Sequence, residues 1–267
     1  MKMAFIGGGK MAEAILHGVL FGKLADPDDI SVGEPVAERR EYLATQFGIR
    51  TSADNLETAK QAELVVFAVK PQDLGSVMGQ MNGCLQSTQA VLSIVAGAKM
   101  ETLSNGLHHK SVVRVMPNTP AQVGAGMTLW TCSDGVDASL REMTKSVLGS
   151  IGQEIYVSDE KYMDMATALS ASGPAYVFLF IEALVDAGVY VGMPRDMART
   201  LALQTVFGST KLVIESGLHP AELKDMVVSP AGTTAEALRV LEDEGVPAAI
   251  VSAVDAAYKK SIQLGNG

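Results

Sequence analysis

The segment Phe5-Ile6-Gly7-Gly8-Gly9-Lys10-Met11-Ala12 offers the first recognisable chemistry. Gly7, Gly9 and Ala12 satisfy a G-x-G-x-x-A spacing, behind an apolar run and ahead of an amphipathic one. Each position has a geometric task. Gly7 permits a tight turn, Gly9 lets backbone approach a pyrophosphate, and Ala12 lets the following helix pack close to a sheet. The first helical residues, Lys10 and Met11, then present free N–H groups and a partial positive charge to phosphates. The same spacing occurs in plain strand-to-helix turns, and the alternating pattern behind it favours nucleotide binding.

The next strand-like run ends in Val32-Gly33-Glu34-Pro35. A carboxylate there accepts hydrogen bonds from both ribose hydroxyls and repels a 2′-phosphate, so Glu34 favours NADH over NADPH. Arg39 and Arg40 follow and would bind a 2′-phosphate if they turned inward; the plainer expectation is two solvated helix residues. Ligands of open parallel sheets lie beyond the carboxyl ends of the strands. Three further ends therefore matter: Ala68-Val69-Lys70-Pro71, Ile94-Val95-Ala96-Gly97 and Met116-Pro117-Asn118-Thr119-Pro120. Lys70 and Asn118 are the polar groups best placed to face a cofactor.

Two patches in the second half are dense in small and hydroxyl residues. Ser229-Pro230-Ala231-Gly232-Thr233-Thr234-Ala235-Glu236 precedes an apolar-periodic helix. Thr233-x-x-Glu236 reads as a capping box. A glycine loop at a helix N-terminus also suits a carboxylate ligand, and three hydroxyls in six residues exceed what a cap requires. The other patch runs from Thr167 to Tyr176 and suits either a helix–helix joint or a close approach to a ligand. Glu182 and Asp186 have no third metal-ligating group at suitable spacing and read as the polar edge of a buried helix; no metal site is expected. The His108-His109 pair is expected at the surface, and Cys84 and Cys132 as reduced core residues without a disulfide partner.

These groups need elements to hold them. Over 267 residues the hydrophobic share is 48% and the aromatic share only 5%, enough for a sizeable core built from aliphatic side chains. The net charge of −9 comes without any basic cluster, which argues against a nucleic-acid partner. Glu182 and Asp186 interrupt the most apolar stretch and argue against a membrane span. With no signal segment in view, a cytoplasmic location is expected.

Residues 1–157 alternate short apolar runs (3–6, 30–32, 64–69, 90–96, 111–116) with helical stretches (12–21, 37–47, 74–81). Runs at 127–132 and 154–157 extend the pattern. Such repeats imply a doubly wound, Rossmann-type α/β sheet. From 158 to 267 the strand rhythm stops and Gly/Pro pairs divide the chain into apolar helices. This predicts an all-helical second domain that packs against a second copy of itself.

The chain resembles the pyrroline-5-carboxylate reductase family. The likeness spans essentially its whole length: the N-terminal glycine loop, Ala68–Pro71, Met116–Ala121, Ser170–Tyr176, Gly192–Arg195, His219-Pro220 with Leu223–Asp225, and Ser229–Thr234, the core of the family signature. The resemblance implies an NADPH- or NADH-dependent reduction of 1-pyrroline-5-carboxylate to proline. It implies a helical dimerisation domain, with homodimers that assemble into larger rings. It assigns the substrate carboxylate to Ser229, Gly232, Thr233 and Thr234, and the ring nitrogen to Thr167. Lys70, Asn118 and Asn55 would line the cofactor side, together with Ala68, Pro71, Ala96 and Gly97; Lys70 joins Thr167 as a candidate catalytic residue.

Two departures stand out. Ala231 replaces the first Gly of the usual Ser-Pro-Gly-Gly, which matters little if its φ is negative. A Ser is common where Glu34 stands, and this leaves the family's usual NADPH preference open. A β-hydroxyacid or 6-phosphogluconate type dehydrogenase shares the layout but would want a catalytic Lys between Gly173 and Ile181, where there is none. A non-catalytic nucleotide-binding module would need an effector surface that the sequence does not display.

Overall fold

The apolar runs of the first half form a buried sheet in the computed structural model, which describes residues 1–265. The chain divides into two compact units. One comprises Met1–Ser172 together with the residues from Ala257 on; the other is Gly173–Ala256.

In the first unit, β1 (Met3–Ile6), β2 (Ile30–Gly33), β3 (Arg50–Ser52), β4 (Leu64–Phe67), β5 (Ala90–Ser93), β6 (Val112–Met116), β7 (Gly126–Cys132) and β8 (Gly152–Tyr156) make one sheet of order β3-β2-β1-β4-β5-β6-β7-β8. β1 to β6 pair in parallel, β7 runs antiparallel to β6, and β8 pairs in parallel with β7. Parallel strands covered by helices on both faces have no solvated side. Accordingly β1, β4, β5 and β6 are buried at every position. Two apolar clusters lie on opposite faces. Phe5, Ile15, Leu16 and Val66 belong to one; Ile6, Val65, Phe67 and Met81 belong to the other.

Helices α1 (Lys10–Phe21), α2 (Ala37–Phe47), α3 (Asn55–Ala59), α4 (Pro71–Met81), α5 (Met100–Leu107) and α6 (Ala138–Gly149) connect the strands. The runs expected at 64–69 and 90–96 stop earlier, at Phe67 and Ser93, because their last residues turn outward into the loops of the ligand-facing edge.

One charge sits inside this core. Arg114 on β6 is 1% exposed and donates to Glu160 Oε1 at 2.8 Å and to Asp164 Oδ1 at 3.5 Å. Glu160 Oε1 also accepts the backbone N–H of Met100 at 2.8 Å, and Ser261 Oγ donates to Asp164 Oδ1 at 2.8 Å. Removing one member would strand a buried charge, which typically costs about 3–5 kcal/mol. The cluster therefore fastens α7 (Lys161–Ala166) and the last turns of α12 (Val246–Gly265) to the sheet.

After β8 the described chain is helical throughout. α7 runs into a single π-helical turn, Thr167–Ala171, and then into α8 (Gly173–Tyr190). α9 (Arg195–Ser216), α10 (Pro220–Met226) and α11 (Thr233–Asp243) follow. The second unit has a small core of its own, Val185 with Ala198 and Ala202. Gly188 makes the α8–α9 contact close, since a Cβ there would stand 2.7 Å from that of Ala198.

Most of α8 is uncovered within this chain. Phe178, Leu179 and Phe180 are each at least half exposed and Tyr190 is 90% exposed. The helix expected to be buried is thus largely exposed within the single chain. Glu182 is exposed, and Asp186 pairs with Arg195 at 3.0 Å. The stretch Lys161–Tyr190 is long and apolar enough to cross a membrane by length and composition alone.

Candidate functional site

The strand order reverses at β1, whose neighbours are β2 and β4. The crevice at such a reversal is where open α/β sheets bind ligands. Gly7 lies at its centre with φ 97°, and a Cβ there would stand 2.8 Å from the carbonyl oxygen of Ala68. The two loops of the crevice therefore touch through backbone, and only glycine fits. Gly7 N–H donates to the carbonyl of Gly33 at 2.7 Å, which ties the first loop to the end of β2.

Gly9 meets nothing within 4 Å where a Cβ would stand, and it is the N-cap of α1 with no side-chain cap. The first-turn N–H groups at Lys10 and Met11 are left to a ligand. Ala12 is fully buried against the sheet. Open space at Gly9 and an uncapped helix start fit the pyrophosphate of a dinucleotide.

Glu34 bridges backbone. Its Oε2 accepts the N–H of Gly8 at 2.9 Å and its Oε1 that of Val36 at 3.0 Å. The arginines expected in solvent turn inward, a correction with an evident cause: the loop ends expose carbonyls. Arg39 donates to the Gly8 carbonyl at 2.6 Å and pairs with Glu13 at 2.6 Å. Arg40 donates to the carbonyls of Glu34 at 2.7 Å and Pro35 at 2.8 Å. Burial alone would raise the Glu13 carboxyl, but hydrogen bonds from Arg39, Tyr42 and Lys10 hold it below the usual carboxylate range.

The other cofactor-side residues stand on the same edge. Asn55 opens α3 and its Oδ1 would lie 2.5 Å from a Cβ on Gly33, so it packs on the end of β2. Lys70 is the exposed N-cap of α4, with Pro71 as first helical residue. Ala96 and Gly97 follow β5, and Gly97, with φ 77°, packs against Leu264 of α12. Asn118 follows β6. Its Oδ1 accepts the N–H of Met127 at 2.8 Å, and its amide faces the carbonyl and hydroxyl of Ser170 at 3.3 and 3.4 Å.

Thr167 begins the π-turn, in which Ser172 N–H reaches back to the Thr167 carbonyl at 2.9 Å. Such turns occur often at functional sites. The Thr167 hydroxyl donates to the carbonyl of Met163 at 2.8 Å. Its proton is thereby committed and its lone pairs remain for an incoming N–H.

In the second unit, Gly232 N–H donates to the Ser229 carbonyl at 3.0 Å, closing a four-residue turn with Pro230 and Ala231 in the middle. Ala231 has φ 57°. The negative φ that would have made the Gly-to-Ala departure harmless is not what the chain adopts. Pro at the second position and positive φ at the third are the marks of a type II turn, whose third position favours Gly. The capping box is also corrected: the N-cap of α11 is Gly232, without a side-chain cap, and Thr233 and Thr234 are the first two helical residues. The hydroxyls of this loop are thus not consumed in capping.

Some expectations elsewhere change too. His109 is buried and its Nε2 lies 2.7 Å from the Gln89 carbonyl. Cys84 is exposed while Cys132 is buried, and both are free thiols. Sequence reasoning missed Arg114; the visible signal was a lone charge inside Val-Val-Arg-Val-Met.

Comparison with known proteins settles the family. A pyrroline-5-carboxylate reductase dimerisation model matches residues 160–264, and a coenzyme F420-dependent NADP oxidoreductase model matches residues 2–97. A pyrroline-5-carboxylate reductase of Synechocystis is 44% identical over 265 residues, 99% of this chain and 98% of that one. That of Escherichia coli is 40% identical, covering 98% of each. The chain belongs to the pyrroline-5-carboxylate reductase family.

A crystal structure of the pyrroline carboxylate reductase of Plasmodium falciparum with NADP bound superposes with a TM-score of 0.91 at 34% identity, covering 99% of this chain and 98% of that one. The first half is accordingly a nicotinamide-nucleotide domain of an oxidoreductase and the second a helical dimerisation domain. Apolar side chains are left exposed on α8 and α9, within the residues the dimerisation model matches.

Proposed function

We propose that the chain reduces the C=N bond of 1-pyrroline-5-carboxylate to give L-proline, the last step of proline biosynthesis. The glycine loop and its neighbours at the β1/β4 crevice would hold a reduced nicotinamide nucleotide, which would supply the hydride for the imine carbon. The observation that carries the chemistry is the orientation of Thr167. With its hydroxyl proton given to Met163, its oxygen accepts the N–H of a protonated imine and holds the C=N bond in one orientation. The imine is activated by its own protonation, so no strong enzymic acid is required. The product amine takes its next proton from water.

The roles of the remaining residues follow from their places. Gly7, Gly9, Lys10 and Met11 hold the pyrophosphate. Ala68, Lys70 and Pro71 close the opposite wall, with Ala96, Gly97 and Asn55 beside them; Lys70 adds a positive charge near the reacting end. The turn at Ser229, Gly232, Thr233 and Thr234 takes the substrate carboxylate at the uncapped start of α11. Residues 1–157 serve the cofactor, and 158–267 serve dimerisation and substrate.

We further propose that NADH is preferred, because a carboxylate at Glu34, directly after β2, would repel a 2′-phosphate while Arg39 and Arg40 are occupied by backbone and by Glu13. The working form is a homodimer or a ring of dimers in the cytoplasm, which light scattering and cell fractionation would test. The direct test of the reaction is imine-dependent oxidation of NADH and of NADPH, measured separately. Oxidation with either supports it, and none with either, in folded and cofactor-binding protein, contradicts it.

A further inference from the structure

We propose that Asn118 is a positioning residue that acts through Thr167, by bracing the π-turn in which Thr167 stands. This rests on the role assigned to Thr167 above.

Thr167 lies midway between two anchors. Three residues before it, Asp164 is held by Arg114 at 3.5 Å and by Ser261 at 2.8 Å. Three residues after it, Ser170 is held by the amide of Asn118 through both its carbonyl and its hydroxyl. Arg114 and Asn118 are four residues apart on one stretch of chain, the first at the middle of β6 and the second in the loop directly after it. The end of β6 thus grips the helical segment on either side of Thr167.

The grip answers an open carbonyl. The hydrogen bond of the π-turn runs from Ser172 N–H to the Thr167 carbonyl. An α-helix would pair the Ser170 carbonyl with the N–H of residue 174, which is Pro174 and has none, so that carbonyl takes the Asn118 side-chain donor instead. Asn118 has no spare orientation. Its oxygen is fixed by Met127 N–H at 2.8 Å, so its amide must face Ser170. Asn118 stands at the cofactor edge, but both ends of its side chain are turned to protein. The geometry makes it a support of the group that orients the imine.

The test is a double-mutant cycle on the full-length protein, with steady-state kinetics, cofactor affinity and melting temperature for each form. Asn118→Ala removes both arms. Asn118→Asp is isosteric, keeps the acceptor for Met127 and loses the donor to Ser170, so it decides the matter if the alanine variant does not fold. The proposal expects kcat to fall about tenfold in either variant, with cofactor Kd changed less than about twofold. In a Thr167→Ala background the same changes should cost little more, because the group they position is gone.

Three results would overturn it. A rise in cofactor Kd that accounts for the loss would make Asn118 a direct cofactor ligand. Multiplicative losses in the double variant would make the two residues independent. Unchanged kcat in Thr167→Ala alone would remove the Thr167 role first and the positioning proposal with it, so the two failures are read on different arms.

Discussion

The carboxylate of Glu34 accepts the backbone N–H of Gly8 at 2.9 Å, so the residue that follows β2 braces the glycine loop that precedes α1. The proposed NADH preference would then couple cofactor choice to loop geometry through one side chain. Glu34→Gln keeps the shape and an acceptor but removes the charge. It should shift the ratio of kcat/KM for NADPH over NADH upward by about tenfold, roughly 1.4 kcal/mol. Steady-state kinetics with each cofactor measures this; an unchanged ratio would separate Glu34 from cofactor choice.

Thr167→Ala removes the acceptor proposed for the imine N–H. We expect kcat to fall by about 10²-fold, the loss that misplacing a reacting bond can bring, while cofactor affinity stays near that of the parent protein. Thr167→Ser, which retains the hydroxyl, should recover most of the rate. Equal activity in the alanine variant would exclude the role.

Ala231 holds a left-handed conformation, which costs a non-glycine residue about 1–2 kcal/mol. Ala231→Gly should therefore stabilise the substrate loop, even after the added freedom of the unfolded chain is counted. Raised melting temperature with no rise in substrate KM is the expected outcome. A lower melting temperature would show that surrounding contacts favour the Ala231 side chain.

Glu13 supplies a pH-dependent term of known sign. Its folded-state pKa is held below the ordinary value by Arg39, Tyr42 and Lys10, against the effect of burial. A depressed carboxyl contributes stability that is fully present above its unfolded pKa and is lost as pH falls through that value toward the folded one. Melting temperatures of the parent and Glu13→Gln should differ at neutral pH and converge at acid pH. A constant difference would place the stabilisation elsewhere.

Much of this organisation was legible in the residues because its physics is local. Short apolar runs such as 64–69 suit doubly covered strands, and Gly7 with Gly9 and Ala12 fits the start of a dinucleotide fold. β3 escaped notice because Arg50-Thr51-Ser52 is a three-residue edge strand of polar composition. Arg39 and Arg40 look like solvated helix residues until the loop carbonyls they satisfy are brought beside them. The φ of Ala231 accompanies closure of the Ser229–Gly232 turn, and the π-turn at Thr167 meets the distant Asn118 through Ser170. No periodicity encodes either one. The exposed apolar side chains of α8 and α9 were legible only as excess apolarity, since nothing within the chain covers them.

The central claim is hydride delivery to the carbon of a cyclic imine, and isotopic label tests it most directly. The protein would be incubated with 1-pyrroline-5-carboxylate and reduced cofactor deuterated at the transferable position, and the product examined by mass spectrometry and NMR. The account predicts L-proline carrying one deuterium on the ring carbon that is bonded to nitrogen and lies opposite the carboxylate-bearing carbon. Unlabelled proline, or cofactor that stays reduced in the presence of the imine, would contradict it.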